Sequence, residues 1–510
     1  MEDCKVLITT GGVGSRLGTL TEYTNKSLVR VGDKPAISHI IESYPCSTKF
    51  VITLGHFGDY VRQFLLLAYP NIDFTFVKVK KFEGDGSSLG HSILQAKRYL
   101  QCPFIFHASD TLTPKYKICP HVDFNWCAGS HNGSTSQYRT LKIKGEEVTC
   151  INEKGELNFD YSYIGLCGIK DYRLFWKHLE ELPNTHSLSD VHVINKMLQT
   201  VSFKFKHIKD WLDIGNSTEL VKAIDYFGSD IEVLDKQQEA IYFFDDFVIK
   251  FFSDPTITKN RVTRGEYLTP MVPKILGSTR NFYKYQKAEG NLFSKSVTEK
   301  SFSTFLEWAS TNLWIEKPKE HFKEDCIKFY IDKSMNRIFS YLEDNFDCLQ
   351  VNGQTLPSIV TLFDKLNSKW LCDGVPTQFH GDFILDNIIE TSSGFSLIDW
   401  RQDFAGGLET GDIYYDLAKL NHNLMVNHSI VDKGLYDFSP DNCYILCNST
   451  LIGCRKILHD FIIEKGYDLK KVEVLTAIIW INMSPLHSYP FNEFLFNFGK
   501  YSLYKALHND

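Results

Sequence analysis

No apolar run in the sequence approaches about 18 residues, the length that a helix needs to cross a bilayer, so we expect no membrane span. An excess of basic residues is also missing: 55 Lys and Arg stand against 62 Asp and Glu, which argues against a nucleic-acid-binding protein. The 13 cysteines form no C-x-x-C pair, and this odd, scattered number suits a reducing compartment better than a disulfide framework. We therefore expect a cytoplasmic protein.

A linker rich in Pro, Gly or Ser is absent too, although 510 residues are too many for one typical domain. Apolar residues make up 43% of the chain and charged residues 23%, as in ordinary globular proteins. The best boundary lies within residues 226–236, which predicts one domain over 1–229 and another over 230–510. So short a join predicts domains in fixed or semi-fixed contact.

The first domain opens with a glycine-rich loop. The apolar run Val6–Thr9 leads into Gly-Gly-Val-Gly-Ser-Arg at 11–16, which predicts a buried strand that ends in this loop. Glycines let backbone N–H groups approach a phosphate chain, and Arg16 adds positive charge. The loop is not a Walker A motif, because the G-K-[ST] ending is missing.

Residues around and beyond this loop resemble the sugar-phosphate nucleotidyltransferases. Residues 12–17 read G-x-G-S-R-L, and Lys26 follows at the family's spacing. Four later segments match in the family's order: the second glycine loop at 83–90, the strand that ends in an acid at 104–110, the Glu-Lys pair at 153–154 and W-x-D-I-G at 211–215. The sequence departs from the family pattern at Thr10, Gly11, Thr19 and Asn25. These departures leave CTP, UTP and dTTP open as the nucleotide, and we favour CTP.

The resemblance implies a site for Mg²⁺ and a nucleoside triphosphate. Asp110 and Asp213 would bind the metal, although an acid at a strand end could by itself equally be a helix cap. Arg16 and Lys26 would be catalytic, and Glu153 and Lys154 would bind the phosphorylated acceptor. The positions implied at the nucleotide are Thr10, Gly11, Gly12, Gly14, Ser15, Gly86 and Ser87. Alternating strands and helices predict a Rossmann-like α/β domain with a mainly parallel sheet and helices on both faces.

The second domain begins with a predicted hairpin over 241–252, where two apolar runs flank an Asp-Asp turn. Lys250 lies inside the second run, and a lysine among apolar neighbours needs a partner. In kinase-like folds a strand lysine binds the α- and β-phosphates of ATP and a helix glutamate orients it. Residues 379–401 resemble the kinase-like aminoglycoside phosphotransferase and choline kinase family, and this resemblance implies these roles for Lys250 and for Glu266. Glu266 lies in a helix predicted from about Lys259 to Leu268; Asp254 or another acid is the alternative partner.

Two acids and an amide follow at a spacing that suits phosphoryl transfer. Phe379–Arg401 contains His-Gly-Asp at 380–382, then Asn387, and then Ile-Asp-Trp at 398–400. This stretch resembles the aminoglycoside phosphotransferase and choline kinase family. The resemblance implies Asp382 as catalytic base, Asn387 and Asp399 as Mg²⁺ ligands, and a bilobal kinase-like α+β domain with lobes at about 235–290 and 291–510. The alternative is a loop whose acids serve only its turns.

Aromatic residues crowd the C-terminal tail from Trp480 onward. Their helical spacing predicts the buried face of a packed helix pair. An aromatic cage for a quaternary ammonium group, as the choline kinase resemblance implies, is the alternative.

Together the two resemblances predict a bifunctional enzyme. The second domain would phosphorylate a small alcohol (an amino alcohol, polyol or sugar) with ATP. The first would transfer a nucleotide from an NTP to that phosphate, releasing pyrophosphate, for surface glycan or lipid synthesis. The alternative is a sugar-1-phosphate nucleotidyltransferase that uses UTP or dTTP and carries a degenerate, regulatory kinase-like domain. We expect no nucleic-acid partner and leave a homo-oligomer open.

Overall fold

A computed structural model describes residues 4–131, 136–228, 238–439 and 442–508. The chain divides into two compact units, which are Met1–Pro255 with Leu276–Tyr285 and Thr256–Ile275 with Gln286–Asp510. The predicted boundary between residues 229 and 230 lies outside the described residues and stays a prediction. The strands expected to begin the second domain nevertheless belong to the first compact unit, except at their ends.

The first unit is a mixed α/β structure. Its strands are β1 (Lys5–Thr9), β2 (Arg30–Val31), β3 (Lys34–Pro35), β4 (Lys49–Leu54), β5 (Asp73–Lys78), β6 (Phe104–Ala108), β7 (Thr111–Leu112), β8 (Trp126–Ser130), β9 (Thr140–Lys144), β10 (Glu147–Asn152), β11 (Tyr161–Ile169), β12 (Phe203–His207), β13 (Leu212–Asp213), β14 (Glu239–Phe243), β15 (Phe247–Phe252), β16 (Ile275–Ser278) and β17 (Phe282–Gln286). Its helices are α1 (Ala36–Ile41), α2 (Gly58–Ala68), α3 (Leu89–Gln95), α4 (Tyr172–Glu181), α5 (Asp190–Met197) and α6 (Ser217–Phe227).

Nine of these strands form one sheet among the described residues, in the order β5-β4-β1-β6-β11-β8-β12-β10-β9. Strands β5, β4, β1 and β6 are mutually parallel, as the sequence predicts. Beyond β6 the sheet is mixed, because β11 runs antiparallel to both β6 and β8, and β10 runs antiparallel to β12 and β9. The expectation of a mainly parallel sheet is therefore correct for one half of the sheet and wrong for the other.

Helices cover both faces of this sheet. Along β1, Val6 and Ile8 belong to one core cluster and Leu7 to the other, as the alternation of side chains in a strand requires. The first cluster takes its α-helical residues from α1, α2 and α6, and the second from α3, α4 and α5. The sheet is thus buried on both sides, and its carboxyl-terminal edge carries the loops described below.

A second sheet of the first unit has the order β14-β15-β17-β16. The predicted hairpin is confirmed as β14 and β15, with Ile241 opposite Lys250. This sheet shares a core with α2: Phe64 packs edge-on against Tyr242 at a ring-centroid distance of 5.4 Å. Tyr60 likewise packs against Phe251 at 4.9 Å. The buried aromatic residues of both elements therefore form one continuous apolar core.

The second unit is mainly helical. Its helices are α7 (Pro255–Leu268), α8 (Phe293–Ser296), α9 (Glu299–Asn312), α10 (Phe322–Cys326), α11 (Lys333–Asp344), α12 (Ile359–Asp364), α13 (Ser368–Leu371), α14 (Ile413–Asn423), α15 (His428–Asp432), α16 (Ser449–Glu464), α17 (Leu469–Met483) and α18 (Phe491–His508). Its strands are β18 (Asn291–Leu292), β19 (Gln350–Val351), β20 (Gln354–Thr355), β21 (Pro376–Thr377), β22 (Ile388–Thr391), β23 (Gly394–Leu397), β24 (Gly411–Asp412), β25 (Tyr436–Phe438) and β26 (Cys443–Ile445).

Helix α17 packs against both α14 and α18. Phe494 and Phe496 on α18 are buried, and Phe496 stacks on Tyr341 at 4.1 Å, which agrees with a packed core face. None of the helices in the described ranges is long and apolar enough to span a bilayer. All 13 cysteines lie in those ranges, and none of them forms a disulfide.

Candidate active sites

A short ribbon brings the two predicted metal-binding aspartates of the first unit together. Asp110 lies two residues after the end of β6, and Asp213 ends β13, which pairs antiparallel with β7. Asp213 is the partner of Thr111 in this ribbon, and the Ile214 amide donates to the Asp110 carbonyl at 3.0 Å. Residues more than 100 positions apart are therefore held side by side through backbone hydrogen bonds.

Gly215 marks the point where the side chains converge. A methyl group built on its Cα would lie 3.1 Å from Asp213 Oδ1, 3.4 Å from Asp110 Oδ2 and 3.3 Å from Arg16 Nη2. The Gly215 amide also donates to Asp213 Oδ1 at 3.0 Å, and the Tyr138 hydroxyl donates to Asp213 Oδ2 at 2.8 Å. Two carboxylates and a guanidinium group thus surround one small space, and a larger residue at Gly215 would crowd it.

The two carboxylates in this space differ in how far nearby cations neutralise them. Lys26 Nζ lies 3.0 Å from Asp110 Oδ2. Burial would raise the pKa of Asp110, but the Lys26 ammonium and then Arg16 outweigh burial and hold that pKa below its ordinary value. Burial and then the neighbouring Asp110 carboxylate raise the pKa of Asp213. The Asp110 and Asp213 carboxylates therefore repel one another, and a cation bound between them would stabilise both.

The donor set fits Mg²⁺. Two carboxylates are hard oxygen donors, and Mg²⁺ sites in nucleotide-processing enzymes use one or two carboxylates together with substrate phosphates and water. Among the described residues there is no group of three or more His, Cys, Asp and Glu that could hold a metal, which excludes there a complete cage built from such ligands. Asp110 and Asp213 would hold the ion, and the ion would neutralise phosphate charge.

Further cations lie next to this pair. Burial lowers the pKa of Lys154, as do the charges of Arg16 and Arg139. Glu153 is held by Arg139, whose Nε lies 3.0 Å from Glu153 Oε2. The predicted acceptor residues therefore come together with an arginine that the sequence did not single out.

The two glycine loops are held by backbone contacts. Thr10 turns its hydroxyl to the Thr53 carbonyl at 2.7 Å, and Gly14 adopts a φ of +75°. Asn25 is buried and donates to the Thr10 carbonyl at 2.8 Å, so it fastens the segment of Lys26 to the first loop. In the second loop Gly86 has a φ of +80° and Ser87 bonds back to the Gly84 carbonyl at 2.7 Å.

The remaining nucleotide positions also lie in the first loop. A Cβ on Gly12 would meet nothing within 4 Å, which leaves its backbone open to a ligand. Ser15 begins the turn that follows and is exposed. The second loop leads into α3, as predicted, and the Ser88 hydroxyl caps that helix. The loops thus have the open backbone that phosphate binding requires.

In the second unit, Asp382 has two partners. Its Oδ1 lies 2.7 Å from Lys419 Nζ, and its Oδ2 accepts from Asn387 Nδ2 at 3.1 Å. Burial would raise the pKa of Asp382, but Lys419 outweighs it and lowers that pKa to about 2. Asp382 is therefore ionised at neutral pH, which is the form that can accept a proton.

Asp416 supports the loop that carries Asp382. It is buried and accepts the backbone N–H groups of His380 at 2.8 Å and Gly381 at 2.7 Å. Burial raises the pKa of Asp416 to about 6. Asp412 caps α14 and accepts from the Tyr330 hydroxyl at 2.8 Å, so both acids stabilise the structure around this loop.

Asp399 lies in a strained position beside an arginine. Its φ is +57°, a left-handed conformation that few non-glycine residues adopt. Arg261 on α7 forms an ion pair with Asp399 Oδ1. Arg264, one turn further along α7, is buried and donates to the carbonyl of Leu408 at 2.9 Å, as well as to those of Phe379, His380 and Arg401. Arg261 and Arg264 of α7 therefore hold the segment around His380 and the segment around Asp399 in place.

The predicted phosphate lysine and its glutamate lie in different units. Lys250 is buried in β15 of the first unit. Glu266 is exposed on α7. This helix begins at Pro255, four residues before the predicted start at about Lys259, and ends at Leu268. Both assignments stay predictions. Sequence reasoning did not find Tyr138, Arg139, Arg261, Arg264 and Lys419.

Comparison with known proteins finds solved structures that are similar to part of the chain at low sequence identity. No family model matches the chain, and no curated protein matches it. A candidate glucose-1-phosphate thymidylyltransferase from Bacillus anthracis is 21% identical, with a TM-score of 0.39, over 46% of this chain and 98% of its own. An inositol-1-phosphate CTP transferase from T. maritima is 16% identical, with a TM-score of 0.36, over 44% and 95%.

A CTP:phosphocholine cytidylyltransferase from Streptococcus pneumoniae is 16% identical, with a TM-score of 0.38, over 44% of this chain and 100% of its own. Similarity at this level assigns no activity to the present chain. These neighbours also leave the predicted kinase-like fold of the second unit untested.

Proposed function

We propose that the chain catalyses two consecutive reactions. The second unit phosphorylates a small alcohol with ATP, and the first unit transfers a nucleotide from an NTP, with CTP favoured, to the new phosphate. The observation that carries the proposal is the convergence of Asp110, Asp213 and Arg16 at Gly215, with Lys26 paired to Asp110. A phosphate oxygen and a triphosphate repel one another, and this arrangement supplies the charges that would bring them together.

In the first unit an oxygen of the acceptor phosphate attacks the α-phosphorus of the NTP, and the bond to pyrophosphate breaks. Lys154 and Arg139 bind the acceptor phosphate, and Arg16 holds the departing phosphates. Lys26 leaves Asp110 and stabilises the charge that develops at the α-phosphate. The attacking phosphate is already ionised near neutral pH, so the reaction needs no general base.

In the second unit the acceptor hydroxyl attacks the γ-phosphorus of ATP, and ADP leaves. Asp382 accepts the hydroxyl proton, and the 3.1 Å hydrogen bond from Asn387 together with Lys419 fixes its orientation. Asn387 and Asp399 are oxygen donors that suit Mg²⁺, which would neutralise the phosphate oxygens there. Asp399 would have to leave Arg261 to do so.

Separate replacement of the two acids tests the proposal. Wild-type protein, Asp110→Asn and Asp382→Asn would each receive a panel of free alcohols, ATP, Mg²⁺ and one NTP. Asp110→Asn should abolish pyrophosphate release and leave ADP formation intact. Asp382→Asn should abolish both with free alcohols, because no phosphorylated acceptor forms, but it should release pyrophosphate when that acceptor is supplied. Because the phosphorylated intermediate diffuses, a mixture of both variants should regain the final product, measured by mass spectrometry. Asp73→Asn and Asp364→Asn, two exposed acids, are matched controls.

The alternative has a distinct outcome. If wild-type protein forms the nucleotide product only from an acceptor that is supplied already phosphorylated, and Asp382→Asn does so equally well, the chain is a single-activity nucleotidyltransferase. The kinase-like unit would then be regulatory.

A further inference from the structure

A group of cations lies near Asp382 without a matching set of acids. Lys333 Nζ lies 4.0 Å from the centroid of the Phe329 ring, and the Arg401 guanidinium lies 5.0 Å from the same centroid. Arg337 is one turn after Lys333 on α11 and donates to the Asn482 carbonyl at 2.9 Å. We call Lys333, Arg337, Arg401 and Lys419 the cation cluster.

The cluster adjoins the catalytic aspartate. Lys419 is bound to Asp382, and a Cβ on Gly381 would lie 3.2 Å from Arg401 Cδ, so the Arg401 side chain runs along the catalytic loop. The charges of Arg401, Arg337 and Lys419 all act on Lys333. A hydroxyl at Asp382 would therefore have these cations beside it.

Of the four cations, only Lys419 has a carboxylate within ion-pair distance among the described residues. Burial, and then the charges of the other cations, lower the pKa of Lys333 to about 6. Partly buried like charges repel one another and destabilise the fold unless an anion joins them. The Asp403 carboxylate acts in the opposite direction and raises the pKa of Lys333, but burial and the other cations outweigh it. The Asn482 and Asp403 backbone carbonyls, which accept from Arg337 and Arg401, are neutral.

We propose that the alcohol phosphorylated by the second unit carries an anionic group, a carboxylate or a phosphate, which the cation cluster binds while Asp382 holds the hydroxyl. This inference rests on the proposed kinase activity and narrows its substrate. The hydroxyl oxygen forms the new bond to the γ-phosphorus, its proton passes to Asp382, and ADP leaves. A cationic amino alcohol would be repelled from the same place.

Matched acceptors test the charge directly. One set has three carbons: glycerate, glycerol 3-phosphate, glycerol and 3-aminopropane-1,2-diol. The other has six: gluconate, sorbitol and glucamine. ADP formation would be followed with the full-length chain, ATP and Mg²⁺. We expect kcat/KM for an anionic member to exceed that of its neutral and cationic counterparts by at least about tenfold. The carboxylate and phosphate members separate the two sources of negative charge.

Lys333→Met keeps the aliphatic stem on Phe329 and removes one charge. It should raise the KM for the anionic acceptor about tenfold or more while the KM for ATP changes less than twofold, and the thermal midpoint should not fall, because repulsion is relieved. Lys328→Met, at an exposed lysine five residues earlier, is the matched control. An increase in the KM for ATP alone would assign the cluster to the nucleotide phosphates and overturn the inference.

The inference and the kinase activity can fail separately. Preferred turnover of a neutral or cationic member would leave the kinase standing and overturn the anionic substrate. If no member is phosphorylated, saturation-transfer NMR with a non-hydrolysable ATP analogue and Mg²⁺ measures binding of the same compounds. Anion-selective binding that Lys333→Met abolishes would support the cluster's role even without turnover. Absence of that selectivity would overturn it.

Discussion

Replacing Lys26 with methionine should move metal binding and catalysis in opposite directions. Lys26 Nζ lies 3.0 Å from Asp110 Oδ2, so a metal ion that binds this oxygen would have to displace it. In the proposed reaction the same ammonium group stabilises charge at the α-phosphate. The variant therefore frees a metal ligand and removes a catalytic charge.

The geometry sets the size of both effects. Two unit charges at 3.0 Å attract by about 1.4 kcal/mol in water and about 5.5 kcal/mol at an effective dielectric constant of 20. The two side chains are 18% and 23% exposed, so desolvation and screening reduce the net interaction to about 1–2 kcal/mol. Metal binding should tighten by about 5- to 30-fold, whereas kcat for nucleotidyl transfer should fall by about 10²- to 10³-fold.

Electron paramagnetic resonance of Mn²⁺ in the absence of nucleotide measures the first effect, and pyrophosphate release measures the second. Lys34→Met removes a neighbouring lysine whose partner, Glu42, is 2.8 Å away, and it should change neither quantity. Weaker Mn²⁺ binding in Lys26→Met, or an unchanged kcat, would refute the competition between lysine and metal.

Three other substitutions probe single hydrogen bonds. Tyr138→Phe removes the 2.8 Å hydrogen bond to Asp213 and should lower kcat/KM for nucleotidyl transfer by about 5- to 30-fold. The assay measures kcat/KM as a function of Mg²⁺ concentration. An unchanged Mg²⁺ dependence would contradict a role of Tyr138 in positioning Asp213 for the metal. Tyr242→Phe removes a buried 2.7 Å bond to the Leu28 carbonyl, should cost about 1–2 kcal/mol, and should lower the first unit's thermal midpoint in calorimetry. Asp416→Asn leaves at least one buried backbone N–H donor unpaired and should lower the free energy of unfolding by about 1–3 kcal/mol. It should suppress ADP formation, whereas pyrophosphate release from a phosphorylated acceptor should persist.

The proximity of Asp110 and Asp213 in the first unit is consistent with the prediction of a shared site, because each lies in a local motif with its own spacing. The strand before Asp110 and the W-x-D-I-G segment around Asp213 are recognisable without knowledge of their contacts. Tyr138 could not be predicted, because its partner is 75 residues away and a single tyrosine in a loop carries no pattern. The mixed half of the sheet was missed because β11 enters between β6 and β8, and strand order is not encoded in local alternation.

In the second unit, too, residues close in sequence could be related to one another, whereas distant partners could not. The position of Asp382 and Asn387 in one loop follows from their spacing of five residues, and the structure joins them. Lys419 lies 37 residues later on α14, where a lysine on a helix is most often solvated, so nothing local predicts its ion pair with Asp382. Arg261 and Arg264 lie on α7, the helix on which the sequence predicts a role for Glu266, but no local pattern predicts the contacts of the two arginines.

The path of the chain between the units determines how the protein can be divided. After Pro255 the chain enters the second unit, returns at Leu276 to complete the β14-β15-β17-β16 sheet, and leaves again after Tyr285. No single cut of the polypeptide therefore releases an intact first unit, and a fragment that stops near residue 229 would expose Phe64 and its neighbours to water. Simple truncation therefore cannot yield the first unit with its β14-β15-β17-β16 sheet complete.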